Sequence, residues 1–217
     1  MTNPRHSAPS RLGRQAAVVL LALTSSLALA GCQAGGTTIE PISQGSTVNT
    51  TDFSTLDAAG VAAIRESKAA RLDMSSGRLE KAAVRVTEDS YGPEINTRDS
   101  GKIKLTIVAP TGEISAETDR IRFNTTQKRE DFSEVTYFLT ADSPDEYFDL
   151  IRDGVERYGI DADSAERWIA GAVRDPGRKS DFSITSGTST GLEVNYDLRY
   201  DGGKETQVII VHVSPAA

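Results

Sequence analysis

A chain of 217 residues with 24 Lys and Arg against 31 Asp and Glu carries a formal net charge of −7 and is long enough to bury one hydrophobic core. The acid excess argues against nucleic acid, which is held by cations that neutralise phosphate, and against a domain lying flat on anionic lipid. A single cysteine leaves no intrachain disulfide to form, and with only two histidines beside it the ligand types of a zinc site are too scarce.

Arg5, Arg11 and Arg14 open the chain, residues 16–30 are almost wholly apolar or small, and no acid precedes Cys32. A charged start, a short apolar stretch and small residues at the cut are the layout of a secretory signal. The apolar run falls short of the roughly 20 residues that a transmembrane helix needs, and its cations sit where they would stay on the cytoplasmic side. Leu29-Ala30-Gly31-Cys32, placed directly after that run, resembles the lipobox of bacterial lipoproteins. The resemblance covers the signal region alone. It implies that a diacylglyceryl group is attached to the Cys32 sulfur, that a peptidase cuts before Cys32, and that Leu29, Ala30 and Gly31 occupy its recognition positions. Two or more acyl chains hold a protein stably where one is marginal. The expected location is therefore the extracytoplasmic face of the cell membrane, with residues 1–31 as signal peptide. Beyond the cut, 21 cations face 31 acids, a net charge of about −10 that keeps the domain soluble and off the bilayer.

Residues 32–52 are rich in Gly, Ser, Thr and Asn and are expected to be a flexible tether with a root-mean-square span of roughly 25 Å. Residues 53–217 are expected to form one globular domain. Alanine richness predicts a helix over 53–72, capped by Ser54 or Thr55. Residues 79–87 predict a modest strand. Ile103, Leu105 and Ile107 alternate with polar residues, Pro110-Thr111-Gly112 turns the chain, and a hairpin partner begins near Glu113. Residues 120–123 alternate again, and 135–140 read as an inner strand, apolar on both faces.

The period then changes. Ser143-Pro144-Asp145-Glu146 predicts a capping box with the Glu146 carboxylate on the Ser143 amide, and a helix that ends at Tyr158 with Gly159 in the left-handed position. Asp161 or Asp163 caps a second helix with Ala165, Trp168, Ile169, Ala172 and Val173 on its apolar face, which makes an αα-hairpin. Phe182 and Ile184 begin a strand, 192–200 alternates without fault, Asp201-Gly202-Gly203 turns the chain, and 208–211 reads as a central strand. The fold class expected is α+β: a largely antiparallel sheet of about six or seven strands with an N-terminal helix and an inserted αα-hairpin.

Chemistry is harder to find. His212 is the one histidine after Cys32, and the sequence shows no G-x-S-x-G nucleophile elbow and no phosphate loop. Acids crowd two helix starts, where the helix dipole favours them: Asp142, Asp145 and Glu146, then Asp161, Asp163 and Glu166. Trp168 falls on an apolar helix face and reads as core, while Tyr147, Tyr158, Tyr196 and Tyr200 suit either a core edge or a groove. No catalytic residue, metal ligand or cofactor is assigned. The expected function is a lipid-anchored, non-catalytic binding or interaction domain at the cell envelope. Its partners would be the membrane, through the anchor, and a protein or small molecule. The rival expectation is a cell-surface hydrolase using carboxylates or Ser with His212.

Overall fold

The computed structural model describes residues 52–125 and 128–217. The expected signal peptide, its Leu29, Ala30 and Gly31, the expected lipid site Cys32, and all but the last residue of the expected tether lie outside the described residues. Within the unit from Gly45 to Ala217, the fold is α+β and its sheets are mostly antiparallel.

Helix α1 spans Ala58–Ser67. Asp57, not Ser54 or Thr55, caps it: the Asp57 carboxylate accepts from the Gly60 amide at 2.9 Å, while the Thr55 hydroxyl donates to that carboxylate and fixes its direction. The helix stops earlier than its alanines predict. Lys68 turns left-handed (φ 55°) and Ala69–Asp73 leave as strand β1, which pairs in parallel with β4 (Ile103–Ala109). Tertiary pairing has overridden local propensity here. Strand β4 pairs antiparallel with β5 (Gly112–Thr118), which completes a three-stranded sheet β1-β4-β5.

The expected strand over 79–87 is only its first two residues, β2 (Leu79–Glu80), paired with β7 (Asp131–Phe132). Lys81 explains the break. Its side chain is fully buried, with Nζ donating to the Glu88 carbonyl at 2.6 Å, and the Val86 amide returns to the Lys81 carbonyl at 2.8 Å. The segment curls around that lysine, and Arg85 takes a positive φ of 60° in the process.

The main sheet is six-stranded, in the order β3-β6-β8-β11-β10-β9, and every pair in it is antiparallel. Its strands are β3 (Glu94–Asn96), β6 (Arg120–Asn124), β8 (Glu134–Ala141), β9 (Lys179–Gly187), β10 (Leu192–Asp201) and β11 (Gln207–Pro215). Strand β11 is central, as its apolar run suggests, but only one of its faces is covered. Ile209, Val211 and Val213 are buried, whereas Val208, Ile210 and His212 are half-buried on the other face.

Helices α2 (Pro144–Tyr158) and α3 (Ala162–Arg174) form the hairpin between β8 and β9. Ser143 Oγ accepts from the Glu146 amide at 3.2 Å and Gly159 is left-handed (φ 72°), as predicted. The Glu146 carboxylate differs from expectation in one respect: it accepts from the amide of Asp142 at 2.9 Å, not from that of Ser143. Asp161 caps α3 by accepting from the Ser164 amide at 2.7 Å. Val173, expected on the apolar face, is 62% exposed, because α3 packs through Ser164, Ala165, Trp168, Ile169 and Ala172. Under the hairpin lies an aromatic cluster in which Trp168 meets Tyr147 at 5.8 Å, Tyr200 at 5.5 Å and Phe148 at 6.4 Å between ring centroids. Gly154 lets α2 settle on the sheet, since a Cβ there would stand 2.6 Å from the Tyr196 ring.

Candidate functional site

Residues 112–124 pass through two sheets, with a bend at Asp119 between them. Their first part, β5, pairs with β4; their second, β6, pairs with β8. The change falls at Thr118, which is fully buried. Its Oγ1 accepts from the amides of Arg120 (3.1 Å) and Phe138 (3.2 Å) and donates to the Arg120 carbonyl at 2.9 Å. This one hydroxyl replaces the ladder bonds where β5 peels away from β8. A cleft of about 370 Å³ opens between them and is roofed by α2.

Strand β8 lends Tyr137, Leu139 and Thr140 to the cleft, and β10 lends Tyr196. Lys104, Ser115, Ala116 and Glu117 form the wall on the β4–β5 side, with Lys102 beside them, and α2 contributes Glu146, Leu150, Asp153, Arg157 and Tyr158. The end of α2 partly closes the divide: Tyr158 Oη and Arg157 Nη2 both donate to the Ser115 carbonyl, at 3.2 and 3.3 Å. Arg157 also pairs with Asp153 at 3.0 Å.

At the base, the Tyr137 side chain is fully buried and its hydroxyl has no hydrogen-bond partner among the described residues. The Tyr158 hydroxyl is close enough to influence its ionisation without completing a hydrogen bond to it. Burial raises Tyr137 well above the ordinary phenol range, and it raises Tyr196 and Tyr158 as well, so these groups stay protonated. Of the tyrosines that the sequence offers for a groove, Tyr158 and Tyr196 line this cleft, while Tyr147 and Tyr200 belong to the cluster around Trp168.

His212 lies on the bare face of the six-stranded sheet, away from the cleft. Its Nδ1 is 3.0 Å from Glu134 Oε1. The same carboxylate oxygen accepts from Thr136 Oγ1 at 2.6 Å and from Asn124 Nδ2 at 2.5 Å. These bonds, the one from His212 foremost, hold the Glu134 carboxyl down to about 2, and Glu134 in turn raises His212. Glu134 and Thr136 stand on β8 and His212 on β11, so the strand register alone brings the pair together. Among the described residues no serine, threonine or cysteine side chain hydrogen-bonds to the imidazole of His212; Thr136, its partner across the ladder, bonds the Glu134 carboxylate instead.

The acids at the helix starts serve the backbone and the surface. Glu146 and Asp161 bond amides, and Glu166 pairs with Arg152 at 2.9 Å. Among the described residues, no group of three His, Cys, Asp or Glu side chains converges as a metal site would require, and no helix is long and apolar enough to cross a membrane. No family model, curated protein or solved structure matches the chain.

Sequence reasoning missed Tyr137 as a site residue because it sits in a run that reads as an inner strand. It missed Lys102 and Lys104 because cations at a strand edge read as a solvated face.

Proposed function

We propose that this protein is a lipid-anchored lipoprotein held at Cys32 on the extracytoplasmic face of the membrane, and that its folded domain binds a ligand without transforming it. The anchor is supported by the order of a cationic start, an apolar run and Leu29-Ala30-Gly31-Cys32. Binding is supported above all by the α2-roofed cleft, whose base holds a buried phenol without a partner. Ligand sites of this kind are concave, mostly apolar, and supplied with a few convergent polar groups.

The hydrolase alternative draws on the Glu134–His212 pair. Against it, the imidazole lies on a bare strand face with no hydroxyl bonded to it among the described residues, whereas acyl transfer needs base, nucleophile and oxyanion donors around one point.

Metabolic labelling with a fatty-acid probe tests the anchor. The expected result is label on the native chain and none on Cys32→Ser; label retained by that variant would contradict the assignment. Hydrolysis of para-nitrophenyl esters tests the second half: a turnover that disappears in His212→Ala would replace binding with catalysis.

A further inference from the structure

The binding reading can be carried to a class of ligand by asking what each part of the cleft lacks. Folded proteins rarely leave a buried hydroxyl without a partner. The Tyr137 hydroxyl is in that state at the base, and the Tyr196 hydroxyl beside it forms no hydrogen bond among the described residues. Both are neutral phenols, so each has a proton to donate, and the complement is an oxygen acceptor on the ligand. The Tyr158 hydroxyl gives its own proton to the Ser115 carbonyl and completes no hydrogen bond with Tyr137. Above the phenols the walls are apolar, with Leu139 on β8 and Leu150 on α2.

The mouth carries charge. Lys102 and Lys104 are exposed, and neither has a carboxylate within 4.0 Å among the described residues. Of the acids nearby, Asp153 is held by Arg157, and Glu146 lies over the start of α2, whose positive end offsets it. Glu117 faces Lys104 across the β4–β5 ladder without touching it. The three cations and three carboxylates of the lining balance formally, so what marks the two lysines is that neither is in contact with an acid among the described residues, not a net positive charge. At about 370 Å³ the space lies at the small end of the ligand-site range of roughly 300–1,000 Å³, which suits one ring or a short chain.

We propose that the cleft between β5 and β8 binds a small organic monocarboxylate whose far end carries a hydroxyl or carbonyl oxygen. The oxygen meets Tyr137 at the base, the apolar body lies between Leu139 and Leu150, and the carboxylate meets Lys102 and Lys104 at the mouth. This rests on the binding reading above and adds the chemistry of the ligand to it.

Para-hydroxyphenylpropionate has this layout and serves as the probe. Phenylpropionate lacks the far oxygen, and para-hydroxyphenylpropionamide lacks the charge. Calorimetric titration of the full chain in non-ionic detergent, with an empty-micelle blank, is expected to give saturable binding of the first and at least about tenfold weaker binding of the other two. Tyr137→Phe is expected to melt no lower than the parent, since it removes an orphaned hydroxyl, and to lose the preference for the hydroxylated acid. The pair Lys102→Gln and Lys104→Gln is expected to lose the preference for acid over amide. Leu150→Trp fills the space from the helix side without touching a polar group, and is expected to abolish binding of all three.

The proposal is overturned if the parent shows no saturable binding of para-hydroxyphenylpropionate, which would leave a cleft that holds solvent only. It is also overturned if Tyr137→Phe keeps the preference for the hydroxylated acid, or if that variant melts well below the parent. A blank titration alongside acylated Cys32 and no esterase activity would remove the acid site and leave the anchored binding domain standing.

Discussion

On the helix-covered face of the six-stranded sheet, phenol hydroxyls reach backbone carbonyls: Tyr147 to Val208 at 3.1 Å and Tyr200 to Pro176 at 3.0 Å. On the bare face, charged side chains meet one another instead: Arg122 with Glu94 at 2.9 Å, Arg199 with Asp181 at 2.9 Å and with Asp197 at 2.5 Å. The two faces are built from alternate residues of the same strands, so the difference comes from what covers them. A dry face accepts neutral groups that can each find a fixed partner, because an unmet charge there would be too costly. A wet face tolerates charges at little gain, because water competes for every one of them. This is why the Tyr137 hydroxyl stands out: with that of Tyr196 beside it, it departs from the rule that Tyr147 and Tyr200 keep on the same face.

Substitutions on the two faces can break that contrast. The largest effect is expected from Trp168→Ala, which removes a 5% exposed side chain packed on three rings and should cost about 3–5 kcal/mol in a urea unfolding curve. A loss below about 1 kcal/mol would mean that the covered face is not the core. Gly154→Ala follows. Its helix-propensity gain of about 1 kcal/mol is opposed by the Cβ at 2.6 Å from the Tyr196 ring, and overpacking of that kind costs about 1–3 kcal/mol. The expected outcome is a net loss; a stabilised variant would show that α2 can ride up at no cost.

The bare face gives smaller effects and one that depends on pH. The Glu134 carboxyl is held at about 2, so its contribution is present above the ordinary carboxyl value of about 4.3 and is lost as pH falls towards 2. His212 is raised, so its contribution is complete below the ordinary imidazole value of about 6.5 and is lost as pH rises through the raised one. The pair should contribute most between about pH 4.5 and 6.5, at about 1–2 kcal/mol for partly exposed groups. Denaturant midpoints measured across pH should show that maximum in the parent and a flatter profile in Glu134→Gln. An unchanged profile would mean that the pair does not couple to folding. Arg199→Ala comes last. Its side chain is 43% exposed, and its removal should shift stability by less than about 0.5 kcal/mol, an outcome that sharpens the contrast with Trp168.

Local signals were legible where one short stretch decides the outcome. Ser143, Pro144 and Gly159 bound α2 because a cap hydroxyl, a ring at the first position and a left-handed glycine each act within one turn. The alternation over 192–200 held because one face of β10 is buried along its whole length. The reading failed where distant partners decide. Ala69 and Ala70 look helical, yet β4 claims them as a parallel strand. Val84 and Val86 look like a strand, yet the buried Lys81 curls them away. The cleft was illegible for the same reason. Nothing near Thr118 says that β5 and β6 will pair with different strands, and Tyr137 becomes a site residue only through that parting. The Glu134–His212 pair likewise follows from the β8–β11 register, which neither strand reveals alone.

The run 112–124 has one further property because it belongs to two ladders at once. In a strand, each added residue turns all that follow it to the opposite side. An insertion before Thr118 would therefore misalign β5 against β4, and one after it would misalign β6 against both β3 and β8. The stretch has no slack at either end of its divide, so among homologous chains its length should stay fixed, while the connection between β3 and β4 can lengthen without touching either ladder.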